Sequence, residues 1–156
     1  MRIHGLPPVA DADAQVLILG SMPGVLSLRT QQYYAHPQNA FWAITQEVLG
    51  FAPADDYAAR LCALNRAGVA LWDVVASCVR EGSMDSAIDG STIVPNDLQR
   101  FLSTHARIRL ICFNGKTAAN LYSRVVRPRL PGSMTCDYVT LPSTSPANAR
   151  ISRADK

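Results

Sequence analysis

No run in this 156-residue chain reaches the roughly 18 apolar residues of a membrane span. The opening stretch, MRIHGLPPVADADAQ, has no apolar centre, so a secretory leader is not expected. The cytoplasm, or the nucleoid within it, is the expected compartment. The four cysteines, Cys62, Cys78, Cys112 and Cys136, form no C-x2-C pair, so the spacing of a zinc or iron–sulfur site is missing. Three of them lie in apolar contexts and read as buried free thiols. Neither metal nor other cofactor is implied. Internal repeats and low-complexity segments are absent. The common nucleotide and nucleophile motifs are absent too. Gly20-Ser21-Met22-Pro23-Gly24 does not have the glycine spacing of G-x-G-x-x-G, nor that of the phosphate loop. Ser21 directly follows Gly20, so there is no G-x-S-x-G elbow. Gly115-Lys116-Thr117 resembles the end of a phosphate loop but lacks its upstream glycine.

What is present fits one globular domain spanning residues 1–156. Hydrophobic residues make up 48% of the chain and charged ones 17%, enough for a full core. The net charge of +3 conceals an asymmetry. Residues 1–99 carry 5 basic and 10 acidic side chains, while residues 100–156 carry 10 basic and 2 acidic ones. A basic C-terminal third suits a polyanion such as nucleic acid, although a solvated basic face would look the same.

Along the chain, Val16 to Gly20 reads as a buried strand, after a lead-in over residues 1–14 in which Pro7 and Pro8 block regular structure. A long polar and aromatic segment without helical or strand period follows, up to Asn39. Helical spacing then predicts helices over about 40–49, 54–66, 96–105 and 116–126. Further strands are expected at 69–72, 107–113 and 138–141, and residues 76–94 read as a loop. The last residues, 151–156, look like a helix just starting. This alternation implies an α/β fold: a three-layer α/β/α sandwich around a central four-stranded, mostly parallel sheet.

Loops after the strand ends gather at one edge of such a sheet. Here they assemble Tyr33, Tyr34, His36, Asn39, Asp73, Asn114, Ser143, Ser145 and Asn148. The set is rich in amides, hydroxyls and aromatics, and poor in strong nucleophiles.

Four stretches in order carry a resemblance. They are Gly20 to Gly24 (GSMPG), Ala35 to Trp42 (AHPQNAFW), Asn114 to Ala118 (NGKTA) and Leu141 to Pro146 (LPSTSP). Together they resemble the uracil-DNA glycosylase superfamily, near the mismatch-specific uracil/thymine glycosylases, with their G-I-N-P-G turn, A-H-P-x-N-x-F-W segment and G-K-x-A turn. The likeness covers about residues 16–153. One departure selects a branch. Met22 stands where the mismatch enzymes carry a water-positioning asparagine, and a thioether cannot do that work. With YYAHPQN and LPSTSPANA, this resembles the hypoxanthine-DNA glycosylase branch.

The resemblance implies roles. Asn39 becomes the catalytic asparagine, a neutral amide able to orient water through its carbonyl oxygen. Tyr34 matches the aromatic that stacks on a flipped base. Backbone amides near Ser21 and Met22 are placed to bind a base carbonyl, with His36 and Asn114 as further base-binding candidates. Ser143, Ser145, Pro146, Ala147, Asn148 and Arg150 form a DNA clamp, in which Pro146 and Ala147 stand at the intercalating wedge and Arg153 adds a phosphate contact. Ala147 is small for a wedge. No lysine occupies a matched site for Schiff-base chemistry, so no lyase step is expected.

Other readings of the same residues stay open. Asn39 also lies where a helix N-cap belongs, Asn114 precedes a turn glycine, and Tyr34 could pack on the sheet. The expected protein is a monomeric, monofunctional DNA glycosylase, releasing hypoxanthine first, and uracil as a further base, from double-stranded DNA. A lesion-binding module without catalysis, a uracil/thymine mismatch glycosylase, and a domain acting on free nucleosides are the alternatives.

Overall fold

The computed structural model describes residues 1–52 and 56–156. The chain enters through a short strand, β1 (Arg2–His4), then forms β2 (Val16–Gly20). Helices α1 (Val25–Thr30), α2 (Phe41–Leu49) and α3 (Tyr57–Arg66) lead to β3 (Val69–Asp73). Next come β4 (Val75–Val79), β5 (Val94–Pro95), α4 (Leu98–Thr104) and β6 (Leu110–Asn114). Helix α5 (Lys116–Leu121) widens into a π turn over Tyr122–Val126, and β7 (Asp137–Leu141) follows.

The main sheet has the order β3-β2-β6-β7 and is parallel throughout. Continuous apolar runs suit its inner strands, because a parallel sheet is covered on both faces. Successive side chains of β2 point to opposite faces. Leu17 and Leu19 join a core with Leu98, Phe101, Leu102, Ala118 and Leu121, under α4 and α5. Val16 and Ile18 pack with Phe41, Trp42 and Leu64, under α2 and α3. The three layers expected from the sequence are therefore present. Strand β7 is the open edge, and all five of its residues are exposed.

Helix ends follow local chemistry. Asp56 caps α3 by accepting from the Ala58 N–H, and Asp97 caps α4 by accepting from the Arg100 N–H. Gly50 ends α2 at φ +70°. Helix α3 was expected from about residue 54, but Pro53, Ala54 and Asp55 lie outside the described residues.

Four expectations need correction. The segment after Gly24, expected without regular structure, contains α1, whose six residues are too few to show a helical period. The lead-in forms β1. The expected 76–94 loop includes most of β4 and begins β5, which pair with β1 in a small antiparallel sheet of order β1-β4-β5. Their pairing partners lie far apart in the chain, so no local pattern announces them. The final residues make only a short 3₁₀ turn, Arg153–Asp155.

The four parallel strands end together. Gly20 pairs with Asp73 and Asn114 with Leu141, so the loops after them meet at one edge. Gly115 continues that edge at φ +100°, where a β-carbon would meet Cβ of Ser143 at 2.9 Å. Replacing Gly115 with Ala is expected to cost about 1–3 kcal/mol in backbone strain alone, read from urea denaturation.

Candidate active site

Three of the gathered loops are joined by one side chain. The Thr144 hydroxyl donates to Asn39 Oδ1 at 2.8 Å and accepts from Asn114 Nδ2 at 3.0 Å. The Thr144 backbone N–H donates to Asn114 Oδ1 at 2.9 Å, and its carbonyl accepts from the Ala40 N–H at 3.0 Å. Asn39 Oδ1 also accepts from the Phe41 N–H, at 3.0 Å. Its two lone pairs are thereby filled.

The expectation that Asn39 works through its carbonyl oxygen is corrected by this geometry. The oxygen holds the start of α2 and Thr144, and Nδ2 is the end left for a ligand. The formal cap residue of α2 is Ala40, one position later than expected, and it offers no side-chain bond. Asn114 spends both ends of its amide on Thr144, which makes it a brace between β6 and the loop after β7.

Tyr34 sits beside this bridge with φ +55°. Its ring stacks on Phe41, with centroids 4.0 Å apart and planes 21° from parallel. Phe41 thus supports one face of the ring. The Tyr34 hydroxyl is buried without a hydrogen-bond partner. Burial, and then the charge of Asp73, raises this phenol above its ordinary range, while the nearby Asn114 amide offsets part of the rise.

Asp73 ends β3 and is 4% exposed. Its Oδ2 has no partner. Only a glycine fits beside it: a β-carbon on Gly20 would lie 2.4 Å from Asp73 Oδ1 and 3.3 Å from the Tyr34 hydroxyl. Burial, with Asp85 adding to it, pushes the Asp73 carboxyl up to about 7, and Arg80 opposes the shift.

The small antiparallel sheet delivers the rest. Arg80 follows β4 and is 5% exposed. Its Nε donates to the Gly82 carbonyl at 2.9 Å and its Nη2 to the Pro23 carbonyl at 2.6 Å, tying the β4 loop to the turn after β2. The Ser21 hydroxyl lies 2.8 Å from both oxygens of Asp85, a bifurcated bond. Burial raises the Asp85 carboxyl, and the Ser21 hydroxyl and Arg80 pull it back. Met22 turns its side chain into the main core, so only its backbone faces the turn.

The remaining expected residues lie nearer the surface. His36 is exposed, and its Nδ1 accepts from the Gln38 N–H at 3.2 Å. The loop after β7 braces itself. Ser143 Oγ accepts from the Ser145 N–H, Ser145 Oγ from the Ala147 N–H, and the Ser143 carbonyl from Asn148 Nδ2. Pro146, Ala147, Arg150 and Arg153 are exposed. Among the described residues, no group of three or more His, Cys, Asp or Glu side chains is placed to hold a metal.

Thr144, Arg80 and Asp85 were not singled out from the sequence, and Asp73 was gathered only by its place after a strand. Thr144 lay inside a recognised loop but between two serines of similar chemistry. Arg80 and Asp85 belong to the stretch read as a loop, where no spacing distinguishes them.

The family model of the uracil DNA glycosylase superfamily matches residues 7–156. The chain is similar to a protein of Methanosarcina acetivorans named hypoxanthine DNA glycosylase, 39% identical over 96% of this chain and 90% of that one. A protein of the same name from Methanosarcina barkeri is 36% identical over 100% and 94%. A solution NMR structure from Methanosarcina acetivorans, provisionally described as a uracil DNA glycosylase, superposes with a TM-score of 0.80 at 38% identity, covering 97% of this chain and 90% of that one.

Substituting Thr144 with Val keeps its shape and removes the hydroxyl. Asn114 Nδ2 then loses its acceptor in a half-buried setting, and Asn39 loses one of two donors. A cost of about 1–3 kcal/mol is expected in urea denaturation. Thr144→Ser retains the hydroxyl and is expected to recover most of it.

Proposed function

This chain belongs to the uracil DNA glycosylase superfamily, and we propose that it is a monofunctional DNA glycosylase that hydrolyses the N-glycosidic bond of hypoxanthine in DNA. The observation that carries the reading is the join of Asn39, Thr144 and Asn114 beside the Tyr34 ring, in a chain whose full-length relatives bear the hypoxanthine name. Uracil, which shares the carbonyl next to an N–H, is a second substrate of the same reading.

Chemistry follows from the geometry. A duplex lies against the loop after β7, where Arg150 and Arg153 contact phosphates. Pro146 and Ala147 enter the space left by the extruded nucleotide. The extruded base stacks on Tyr34, whose other side is supported by Phe41. The C1′–N bond breaks with its electron pair moving to the base, leaving an oxocarbenium-like sugar. Backbone amides at Ser21 and Met22 stabilise the charge on the departing base. Asn39 Nδ2 donates to a water and aims its free lone pair at C1′. The new C1′–O bond forms, and the proton that the water loses ends on the departing base, carried through solvent. The products are the free base and an abasic site. The protein acts as a monomer, in the cytoplasm or on the nucleoid.

Inosine-containing and uracil-containing duplexes distinguish the readings. Alkali-labile sites formed with EDTA present support hydrolysis. Tight binding to inosine DNA without turnover would make the protein a lesion-binding module, the alternative that Met22 favours.

Two variants test the assignments. Asn39→Ala is expected to lower the single-turnover excision rate by roughly 10²-fold or more, leaving affinity for an abasic duplex little changed. The rate is measured below the variant's melting range, because the lost bond to the Phe41 N–H also costs about 1 kcal/mol. A folded Asn39→Ala protein with the wild-type rate would remove Asn39 from the chemistry. Arg150→Ala and Arg153→Ala are each expected to weaken binding to every duplex alike and to reduce the salt slope by about one unit.

A further inference from the structure

The turn after β2 offers no side chain that accepts a proton from water. Met22 packs into the main core, and the Ser21 hydroxyl donates to Asp85. Asn39 and Asn114 carry amides, which do not titrate. His36 is exposed, and its Nδ1 already accepts from the Gln38 N–H. Yet water attacking C1′ must shed a proton beside the sugar, and a positioned group that takes it in the transition state lowers the barrier.

Asp85 brings such a group from another element. It opens the 3₁₀ turn Asp85–Ala87 in the loop after β4. Three bonds hold that loop over the turn after β2. Arg80 Nη2 donates to the Pro23 carbonyl at 2.6 Å, and Ser83 Oγ accepts from the Val25 N–H at 2.9 Å. The third is the Ser21 hydroxyl, 2.8 Å from each Asp85 oxygen. Among the described residues, Ser21 is the one donor to this carboxylate, and no ion pair reaches it. A carboxylate has about four acceptor positions, so most of them stay open in a half-buried place that water can enter. The charged and titratable groups around it are Arg80 and Cys78 from β4 and its end, Asp73 from the end of β3, and Tyr34 from the loop after α1. The charge of Asp85 acts on all four, so the carboxylate stands at the same edge as the Tyr34 ring.

We propose that Asp85 is the general base of the reaction, accepting a proton from the water that Asn39 Nδ2 holds. This rests on the glycosylase reading and adds the residue that activates its nucleophile. A lone pair of the water forms the C1′–O bond. One O–H bond breaks with its electron pair staying on oxygen, and that proton moves to an Asp85 oxygen. The C1′–N pair leaves with the base. Asp85 then releases the proton to solvent, from which the base anion is protonated. Before the transfer, the carboxylate also faces a sugar that gains positive charge, which it stabilises. Burial raises the Asp85 carboxyl, and the Ser21 hydroxyl and then Arg80 lower it.

The test is single-turnover excision from an inosine duplex by the full chain between pH 4 and 7, with release from the duplex alone subtracted. The wild-type rate is expected to rise with pH, approaching tenfold per unit where the Asp85 proton controls the step. Asp85→Asn keeps an acceptor for Ser21 but takes no proton. Its rate should fall on the order of 10²-fold near neutrality, with a flat profile. Its affinity for an abasic duplex should match wild type, because that product needs no activated water. Ser21→Ala removes the bond that lowers the Asp85 carboxyl, so its acid limb should move to higher pH. Asp73, pushed up to about 7, titrates in part of this range, but it is present in all three proteins. A limb that Asp85→Asn abolishes and Ser21→Ala displaces therefore belongs to Asp85. A mere brace between two loops would lower the melting temperature of Asp85→Asn and leave its pH profile like wild type, and that result overturns the proposal. A flat wild-type profile overturns it as well. If wild-type protein releases no base at any pH, the glycosylase reading fails and takes the proposal with it, whereas base release with a limb that Asp85→Asn retains removes Asp85 alone.

Discussion

Thr144 is the point on which the site depends. Through one hydroxyl, one N–H and one carbonyl it connects Asn39 before α2, Asn114 at the end of β6, and its own loop after β7. Each bond is modest alone, contributing about 1 kcal/mol net. Their value lies in position. Asn39 is held from two sides at its oxygen, so its amide plane is fixed before any substrate arrives. Preorganisation of this kind lets a weak polar group act on a reaction without first reorienting.

A second constraint is steric. Gly20 and Gly115 both lie at the strand ends, and side chains there would meet Asp73 and Ser143 respectively. Missing β-carbons allow a buried acid, a phenol and a hydroxyl-rich loop to converge within a few ångströms. Electrostatic strain gathers in the same place. Of the five buried side-chain atoms without a hydrogen-bond partner among the described residues, three belong to Tyr34, Asp73 and Arg80. The fold accommodates these because two apolar cores, on opposite faces of the sheet, carry its stability away from that edge.

The small antiparallel sheet links the two themes. By pairing β1 with β4, it fixes the strand from which Arg80 and Asp85 emerge. Arg80 then ties this loop to the Pro23 carbonyl, and Ser21 ties it again through Asp85. A chain that reads as loose after β3 thus becomes a wall of the site. Hydrogen bonds from a buried guanidinium do this well, because its donors are fixed in one plane.

The sequence by itself determined the main sheet, its parallel sense, the order of most helices, and the polar set at the strand ends. Apolar runs such as Val16 to Leu19 and helical spacings such as Leu98, Phe101 and Leu102 are local, and local periodicity survives without tertiary information. Its ordered motifs also pointed to the family, because each occupies a contiguous stretch. Tertiary structure alone decided which atom does what. That Asn39 Oδ1 is spent on Phe41 and Thr144 depends on a contact across 105 residues. Ser21 meets Asp85 across 64, and Arg80 reaches Pro23 across 57. A hydrogen bond between distant residues leaves no period in the chain, and the upward shift of the Asp73 carboxyl comes first from burial, which exists only once the layers have closed around it.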